Sequence, residues 1–346
     1  MQDNIQDKKL KLKMHLNNEV YCNVNEILSY NAFMNVIMGG RGKGKTTQFN
    51  IWALMRYNNY GEQFIYLRRY KSHTKKLKNL LDSYIENKVE YVGLGEGSGM
   101  WKVNKDIVGF LIPLSQQGQF KSGIDFTRVS TIIYDEAIIK KTSTERYLQE
   151  EITYLLEFIS TVMRTRTNLR VIILGNNLDF FNPYCLYFNV SLFERTYYDK
   201  ERSLLITYIK GSEDLRLMEE KTPLYALTKG TPYHSYHYEN DVLKKEEVEI
   251  SSLRNNDKCR LSLKINEFVL NFYLRDNNRY LIKTMNKGYS SQGIVPIIEN
   301  NQVNFYGVDY FKSRWLKYIQ YLYSMKLLDY ADENANVLLL MLFDIY

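Results

Sequence analysis

Gly39, four intervening residues, then Gly44, Lys45 and Thr46 give the spacing G-x-x-x-x-G-K-[ST] in full. Glycines in such a loop let backbone N–H groups turn inward and surround an anionic phosphate, and the N-terminus of the helix that follows adds its partial positive charge. The whole loop, Gly39, Gly40, Arg41, Gly42, Lys43, Gly44, Lys45, Thr46 and Thr47, is therefore the candidate nucleotide cradle. Lys45 has the reach for the β- and γ-phosphates of ATP, and Thr46 offers a hydroxyl to Mg²⁺. The context agrees, because the apolar run Met34 to Met38 reads as a strand and Gln48 to Tyr57 has helical spacing. A glycine-rich turn with no ligand is the alternative.

A second chemical feature lies about 90 residues further on. Ile132-Ile-Tyr-Asp135-Glu136 ends an apolar strand in two carboxylates. Asp135 is placed to organise Mg²⁺, and Glu136 to orient and deprotonate an attacking water. An adjacent Glu favours a hydrolysing ATPase over a small-molecule kinase, whose acceptor would be a substrate hydroxyl. The strand Arg170 to Leu174 runs into Gly175-Asn176-Asn177. Asn176 at this tip can sense the γ-phosphate or hold the water, though Gly-Asn-Asn is also turn chemistry. Arg164 and Arg166 follow a long helix, where the helix dipole favours cations in any case. The sharper reading is an arginine finger inserted into a neighbour's site. Lys121, in Gln119-Phe-Lys-Ser-Gly123, is a similar candidate.

These residues need a scaffold that brings several strand ends together. Alternating apolar strands and amphipathic helices predict an α/β fold: a parallel sheet covered on both faces, of the P-loop NTPase (ASCE) type. Expected elements are a helix over 25–30, strands over 64–68, 130–134 and 170–174, a helix over 75–88 and another over about 145–163. A hairpin is expected around 93–114. Residues 1–184 form the ATPase domain on this reading, 185–240 a Tyr-rich, less periodic lid or linker, and 241–346 a second, smaller α/β domain. The last has strands over 259–265, 268–275 and 279–284, a turn at Asp276-Asn277-Asn278, and a helix over about 310–328. The basic arm with Lys8, Lys9, Lys11 and Lys13 reads as a solubilising tail or as an extra contact to a polyanion.

Composition sets limits on this. A chain of 346 residues with 45% apolar and 25% charged residues has room for two cores. The net charge of +7 leans toward a polyanionic partner. Cys22, Cys185 and Cys259 are widely spaced, odd in number and lack metal-ligand spacing, which suggests reduced thiols. His234 and His237 read as packing or surface residues. The N-terminus lacks an apolar export region, and the longest apolar run, Val337 to Phe343, is too short to span a bilayer, so the chain is expected to be soluble.

Several strings, in order, carry a resemblance. Tyr60-Gly-Glu-Gln-Phe-Ile-Tyr-Leu-Arg-Arg-Tyr-Lys71, the phosphate loop with its internal Arg41, Ser130 to Glu136, Thr161-Val-Met-Arg-Thr-Arg166 and Asn182-Pro-Tyr184 closely resemble the DNA-packaging ATPases of small Picovirinae-type podoviruses. The resemblance covers the first 190 or so residues well and the remainder, including 233–239, more loosely. It implies a ring motor, a homopentamer, docked on the portal (connector) of a procapsid in the host cytoplasm and driving double-stranded DNA inward with ATP and Mg²⁺. By position it implies phosphate and Mg²⁺ binding at Lys45 and Thr46, the metal at Asp135, the base at Glu136, a trans-acting finger at Arg164, a second trans-acting cation at Lys121, and a DNA-channel contact at Lys71. Gly175-Asn176 departs from the Ser-Asn or Thr-containing form of the coupling motif, which leaves no hydroxyl there.

Larger viral packaging enzymes carry a metal-dependent nuclease of RNase H-like fold at this end, and two-metal cleavage needs converging carboxylates. Strands 259–265 and 268–275 hold no Asp in their bodies. Glu267 and Asp276 fall at apparent turns, and Asp309 precedes the last long helix. An RNase H-like, nuclease-dead domain is therefore expected, binding the portal, a structural packaging RNA or DNA. Its cations (Lys258, Arg260, Lys264, Arg275, Arg279, Lys283, Lys287) fit a nucleic acid or an ordinary solvated β face equally. Two rivals remain: a packaging ATPase with an active nuclease, and a non-motor, nucleotide-gated assembly factor.

Overall fold

The computed structural model describes residues 9–120, 123–139, 145, 147–148, 151–176, 182–188, 190, 195–231, 234, 238, 250–275, 278–299, 302–325 and 327–344. Two compact units emerge. One comprises Met1–Leu178 with Leu192–Val242, the other Asp179–Ser191 with Leu243–Tyr346.

The first unit is built on a nine-stranded sheet. Its strands are β1 (Met34–Gly39), β2 (Gln63–Arg68), β3 (Glu90–Gly95), β4 (Ser98–Val103), β5 (Asp106–Pro113), β6 (Val129–Ile138), β7 (Arg170–Gly175), β8 (Thr196–Asp199) and β9 (Leu204–Ile209). Across the sheet the order is β3-β4-β5-β2-β6-β7-β1-β9-β8. From β5 through β9 every neighbouring pair is parallel. β3–β4, β4–β5 and β8–β9 are antiparallel. β1 is buried along its whole length, as strands covered on both faces must be.

Helix α1 (Val24–Ser29) is capped by the Asn23 side chain, which accepts from Glu26 N–H at 3.0 Å. Helix α2 (Lys45–Tyr60) leaves the phosphate loop and buries Phe49, Ile51 and Leu54 against a cluster that includes Ile37, Tyr66, Ile133 and Ile172. Helix α3 (Glu151–Met163) buries Ile152, Leu155, Phe158, Ile159 and Val162. Its Phe158 meets Phe126, which in turn meets Phe110 of β5 edge-on.

Three readings change. Residues 75–88 form two short 3₁₀ turns (Lys75–Leu77 and Leu80–Ser83) in place of the continuous helix that their spacing predicts. The incoming chain explains this: Leu12 bridges Ile85, and Tyr84 O accepts from Lys13 N–H at 2.8 Å, so that segment's backbone is pledged to a partner outside itself. Residues 9–23, which include Lys9, Lys11 and Lys13 of the arm expected as a solubilising tail or an extra polyanion contact, are therefore a strap. It is fixed by Asn58, which donates to Leu10 O at 2.9 Å and accepts from Leu10 N–H at 2.8 Å. Within 185–240, β9 joins the main sheet beside β1, followed by α4 (Glu213–Glu220) and α5 (Pro223–Thr228).

The second unit holds a six-stranded sheet in the order β14-β13-β10-β11-β12-β15. The strands are β10 (Lys258–Ile265), β11 (Phe268–Leu274), β12 (Tyr280–Met285), β13 (Val295–Glu299), β14 (Gln302–Val303) and β15 (Leu328–Tyr330). β10, β11 and β12 form an antiparallel meander, with β13 parallel to β10 and β15 parallel to β12. The expected helix over 310–328 is α6 (Phe305–Phe311), a π turn (Lys312–Leu316) and α7 (Lys317–Ser324), ending before β15. With α8 (Glu333–Asp344) they supply Phe311, Leu322 and Leu339 to the core over Leu263, Phe272 and Ile282. Asp276 and Asn277 of the expected turn lie outside the described residues. No helix of the described residues is long and apolar enough to cross a membrane.

Candidate active site

The loop between β1 and α2 closes through Gly42 (φ +80°) and Gly44 (φ +76°). Gly44 has a second reason to lack a side chain, because a Cβ there would lie 2.7 Å from Tyr21 Cβ on the strap. Lys45 is 3% exposed, and its Nζ donates to Gly39 O at 2.9 Å and Gly40 O at 2.7 Å. Burial lowers its pKa from 10.5 to about 8, partly opposed by Cys22 and Asp135. A cleft of about 630 Å³ opens here, lined by Tyr21, Gly42, Lys45, Thr46, Thr47 and Asn176 among others.

β6 brings the acid pair to the same place. The Thr46 hydroxyl donates to Asp135 Oδ1 at 3.0 Å. Tyr66 OH donates to Asp135 Oδ2 at 2.6 Å, and Arg68 Nη1 reaches the same oxygen at 2.9 Å. Arg68 Nη2 donates to Glu136 Oε2 at 2.5 Å. Glu136 takes a left-handed backbone (φ +54°), and its side chain is 42% exposed. β7, lying between β6 and β1, delivers Asn176 to the cleft.

In the sequence Arg68 is no more than a basic exit from a strand, and nothing marks Tyr66. The reason is register: Tyr66 pairs with Ile133 and Leu67 with Tyr134, which sets Arg68 beside Asp135. Strand pairing across an intervening 65 or so residues leaves no local trace in the chain. Lys43, which also lines the cleft, has a further partner: its Nζ donates to both carboxylate oxygens of Glu219 on α4 (3.1 and 3.0 Å), with Lys43 2% exposed. Arg41 is exposed at the loop's outer edge.

Arg164, Arg166 and Lys71 are not among the residues that line the cleft. Arg164 caps the end of α3, exposed and left-handed (φ +51°). Arg166 is committed to the scaffold, donating to Thr127 O at 2.8 Å and Val129 O at 2.7 Å. Lys71 opens a one-turn helix (Lys71–Thr74), and its Nζ meets Glu96 Oε2 at 2.7 Å in the β3–β4 turn. Lys121 lies outside the described residues. Packing is the role of His234, 3% exposed among Tyr225 and Tyr238.

A family model described as Podovirus DNA encapsidation protein (Gp16) matches residues 16–315. The chain belongs to this family. Among its relatives, the DNA packaging protein of Bacillus phage phi29 is 30% identical over 262 residues, covering 76% of this chain and 78% of that protein. The DNA packaging protein of Bacillus phage B103 is 31% identical over 237 residues, covering 68% and 73%. In fold, the chain resembles a subunit in the bacteriophage Phi-29 viral genome packaging motor assembly. The TM-score is 0.61 at 23% identity, spanning 94% of this chain and all (100%) of that one. The Phi-28 gp11 DNA packaging motor is similar, with a TM-score of 0.60 at 17% identity over 94% of this chain and 97% of that one.

Proposed function

We propose that this chain is the ATPase of a viral DNA-packaging motor: a homopentameric ring, docked on the portal of a procapsid in the host cytoplasm, that couples ATP hydrolysis to translocation of double-stranded DNA. The ATPase part of this reading is carried by the Thr46–Asp135 hydrogen bond, which joins the phosphate loop to the acid pair, and the packaging part is supported by membership of the DNA encapsidation family. A hydroxyl and a carboxylate in direct contact are the oxygen donors that a phosphate-bound Mg²⁺ requires. These two residues would hold the ion, which when bound offsets charge on the β- and γ-phosphate oxygens.

The protein's own groups do the rest. Loop N–H groups and the start of α2 bind the triphosphate, and Lys45 exchanges two backbone carbonyls for phosphate oxygens. Glu136 accepts the proton of the water that attacks the γ-phosphorus, as the bond to ADP breaks. Arg68 must release Glu136 before that carboxylate can act as a base. Asn176 orients the water or the γ-phosphate. Arg164, exposed at the far end of α3, completes a neighbour's site, with Lys121 as a second trans-acting cation. Lys71 contacts DNA phosphates, contacts that carry no sequence information and suit a motor that must move any sequence.

In the C-terminal unit we infer an RNase H-like fold without nuclease activity. Support for the fold comes from the β10–β11–β12 meander with β13 added in parallel beside β10, and for the lack of cleavage from strands 259–265 and 268–275, whose bodies hold no Asp to converge on a metal. The unit's partners are then the portal, DNA or a structural RNA.

The test is ATP turnover with and without double-stranded DNA for wild type, Glu136→Gln, Arg164→Ala and a mixture of the two variants. DNA-stimulated turnover, lost in each variant alone and partly restored on mixing, is expected, because an intact finger serves a neighbour's intact acid pair. Turnover that ignores DNA and survives Arg164→Ala leaves a simple P-loop ATPase in place of a motor.

A further inference from the structure

Arg69 sits beside the acid-pairing Arg68 but points the other way, into the protein, at 1% exposure. A guanidinium that deeply buried has to be fully engaged. Its Nε and Nη2 donate to Glu151 at 2.6 and 3.0 Å, and Tyr134 OH and Leu148 N–H donate to the same carboxylate at 2.9 and 3.0 Å. It also donates to backbone: Nη1 to Glu136 O at 3.3 Å and Nη2 to Ala137 O at 2.5 Å.

Those two carbonyls lie where the sheet fails. The β6–β7 register is regular from Thr131 to Tyr134 and resumes, shifted, at Ile138. Residues 135–137 thus fall in a gap of the ladder, and Glu136 there is left-handed (φ +54°), a conformation an L-residue keeps only when its surroundings enforce it. Arg69 fills the gap with donors, and Glu151, the first residue of α3, braces Arg69 from behind.

We propose that Arg69 is the positioning residue for Glu136: gripping the carbonyls of Glu136 and Ala137, and backed by Glu151, it fixes the backbone that holds the catalytic carboxylate next to Asp135. This rests on Glu136 being the base, as proposed above. A lysine at this position keeps the charge but loses the planar fork that serves Glu151 and two carbonyls together.

The experiment uses full-length protein with double-stranded DNA and MgATP. Arg69→Lys is expected to lower kcat on the order of 100-fold, the cost of a base displaced by a fraction of its working distance. Its KM and its affinity for a fluorescent ATP analogue should stay within about twofold of wild type. Mixing adds a readout that a general loss of structure would not give. Arg69→Lys should restore turnover with Arg164→Ala, since it still offers a finger, but not with Glu136→Gln, since both lack a working base. Wild-type kcat in Arg69→Lys, analogue affinity falling in step with kcat, or restoration with Glu136→Gln would each overturn the proposal. Should Arg69→Lys fail to fold, Glu151→Gln carries the same expectations. Glu136→Gln alone separates the two layers: if it turns over normally, the base assignment falls and this inference with it. If Glu136→Gln is dead while Arg69→Lys is active, only the positioning role falls.

Discussion

Lys45 in the free protein faces carbonyl oxygens rather than phosphate, and burial holds its pKa down to about 8. A bound triphosphate stabilises the ammonium form, so its pKa in the complex is higher. The sign follows: below pH 8 the lysine is charged in both states and affinity is flat. Above it, binding must take up a proton, and affinity falls by up to about tenfold per pH unit. Titrating a fluorescent ATP analogue from about pH 7 to about pH 9.5 checks this. Lys45→Arg, charged throughout, should show no such fall even where it binds more weakly. The loop and helix start that hold Lys45 were legible in the chain, because a Gly-rich loop before a helix is a local pattern. The Arg68 grip on both acids was not, because it depends on which strand lies beside which.

Helix α4 and the phosphate loop are separated by most of the first unit's sequence and meet through the Lys43–Glu219 pair. Lys43 is 2% exposed and Glu219 15%. Removing one partner of a buried pair strands the other charge, at a cost of roughly 3–5 kcal/mol for full burial. The partial exposure of Glu219 brings Glu219→Gln to about 2 kcal/mol. The first unit's thermal midpoint should fall by about 5 °C. KM for ATP should rise, because the loop between Gly42 and Gly44 loses its anchor. Adding Lys43→Met should recover much of the loss, a coupling that a double-mutant cycle measures. Independent losses that simply add would show the pair to be incidental. At this scale the chain was legible wherever an element's own pattern decided it, as in β1, β2, β6, β7, α2 and the β10–β12 meander. It misled where a distant segment supplied the hydrogen bonds. Residues 75–88 have helical spacing but take 3₁₀ turns because the strap claims Tyr84 and Ile85. β9, inside a stretch that looked aperiodic, owes its place to β1.

The whole molecule carries a net charge of +7, spread over many surfaces, so net charge cannot say where DNA is held. Lys71 offers a local test. Its ammonium is paired with Glu96, both side chains nearly half exposed (44% and 47%). The contact has a built support: Gly97, next to Glu96, has φ +82°, and a Cβ there would sit 2.6 Å from Lys71 Cγ. If Lys71 grips DNA, each phosphate must displace a carboxylate, and an exposed pair of this kind is worth only about 0–1 kcal/mol. Glu96→Gln should therefore strengthen DNA stimulation of turnover, by at most about fivefold. Lys71→Ala should weaken it on every sequence alike and reduce the slope of log affinity against log salt by about 0.9 for each phosphate left without its cation. Both are read from ATP turnover against DNA concentration at several salt concentrations. The two variants must move in opposite directions. If Glu96→Gln weakens the response as Lys71→Ala does, the pair is a brace for the β3–β4 turn, and the DNA contact belongs to another surface.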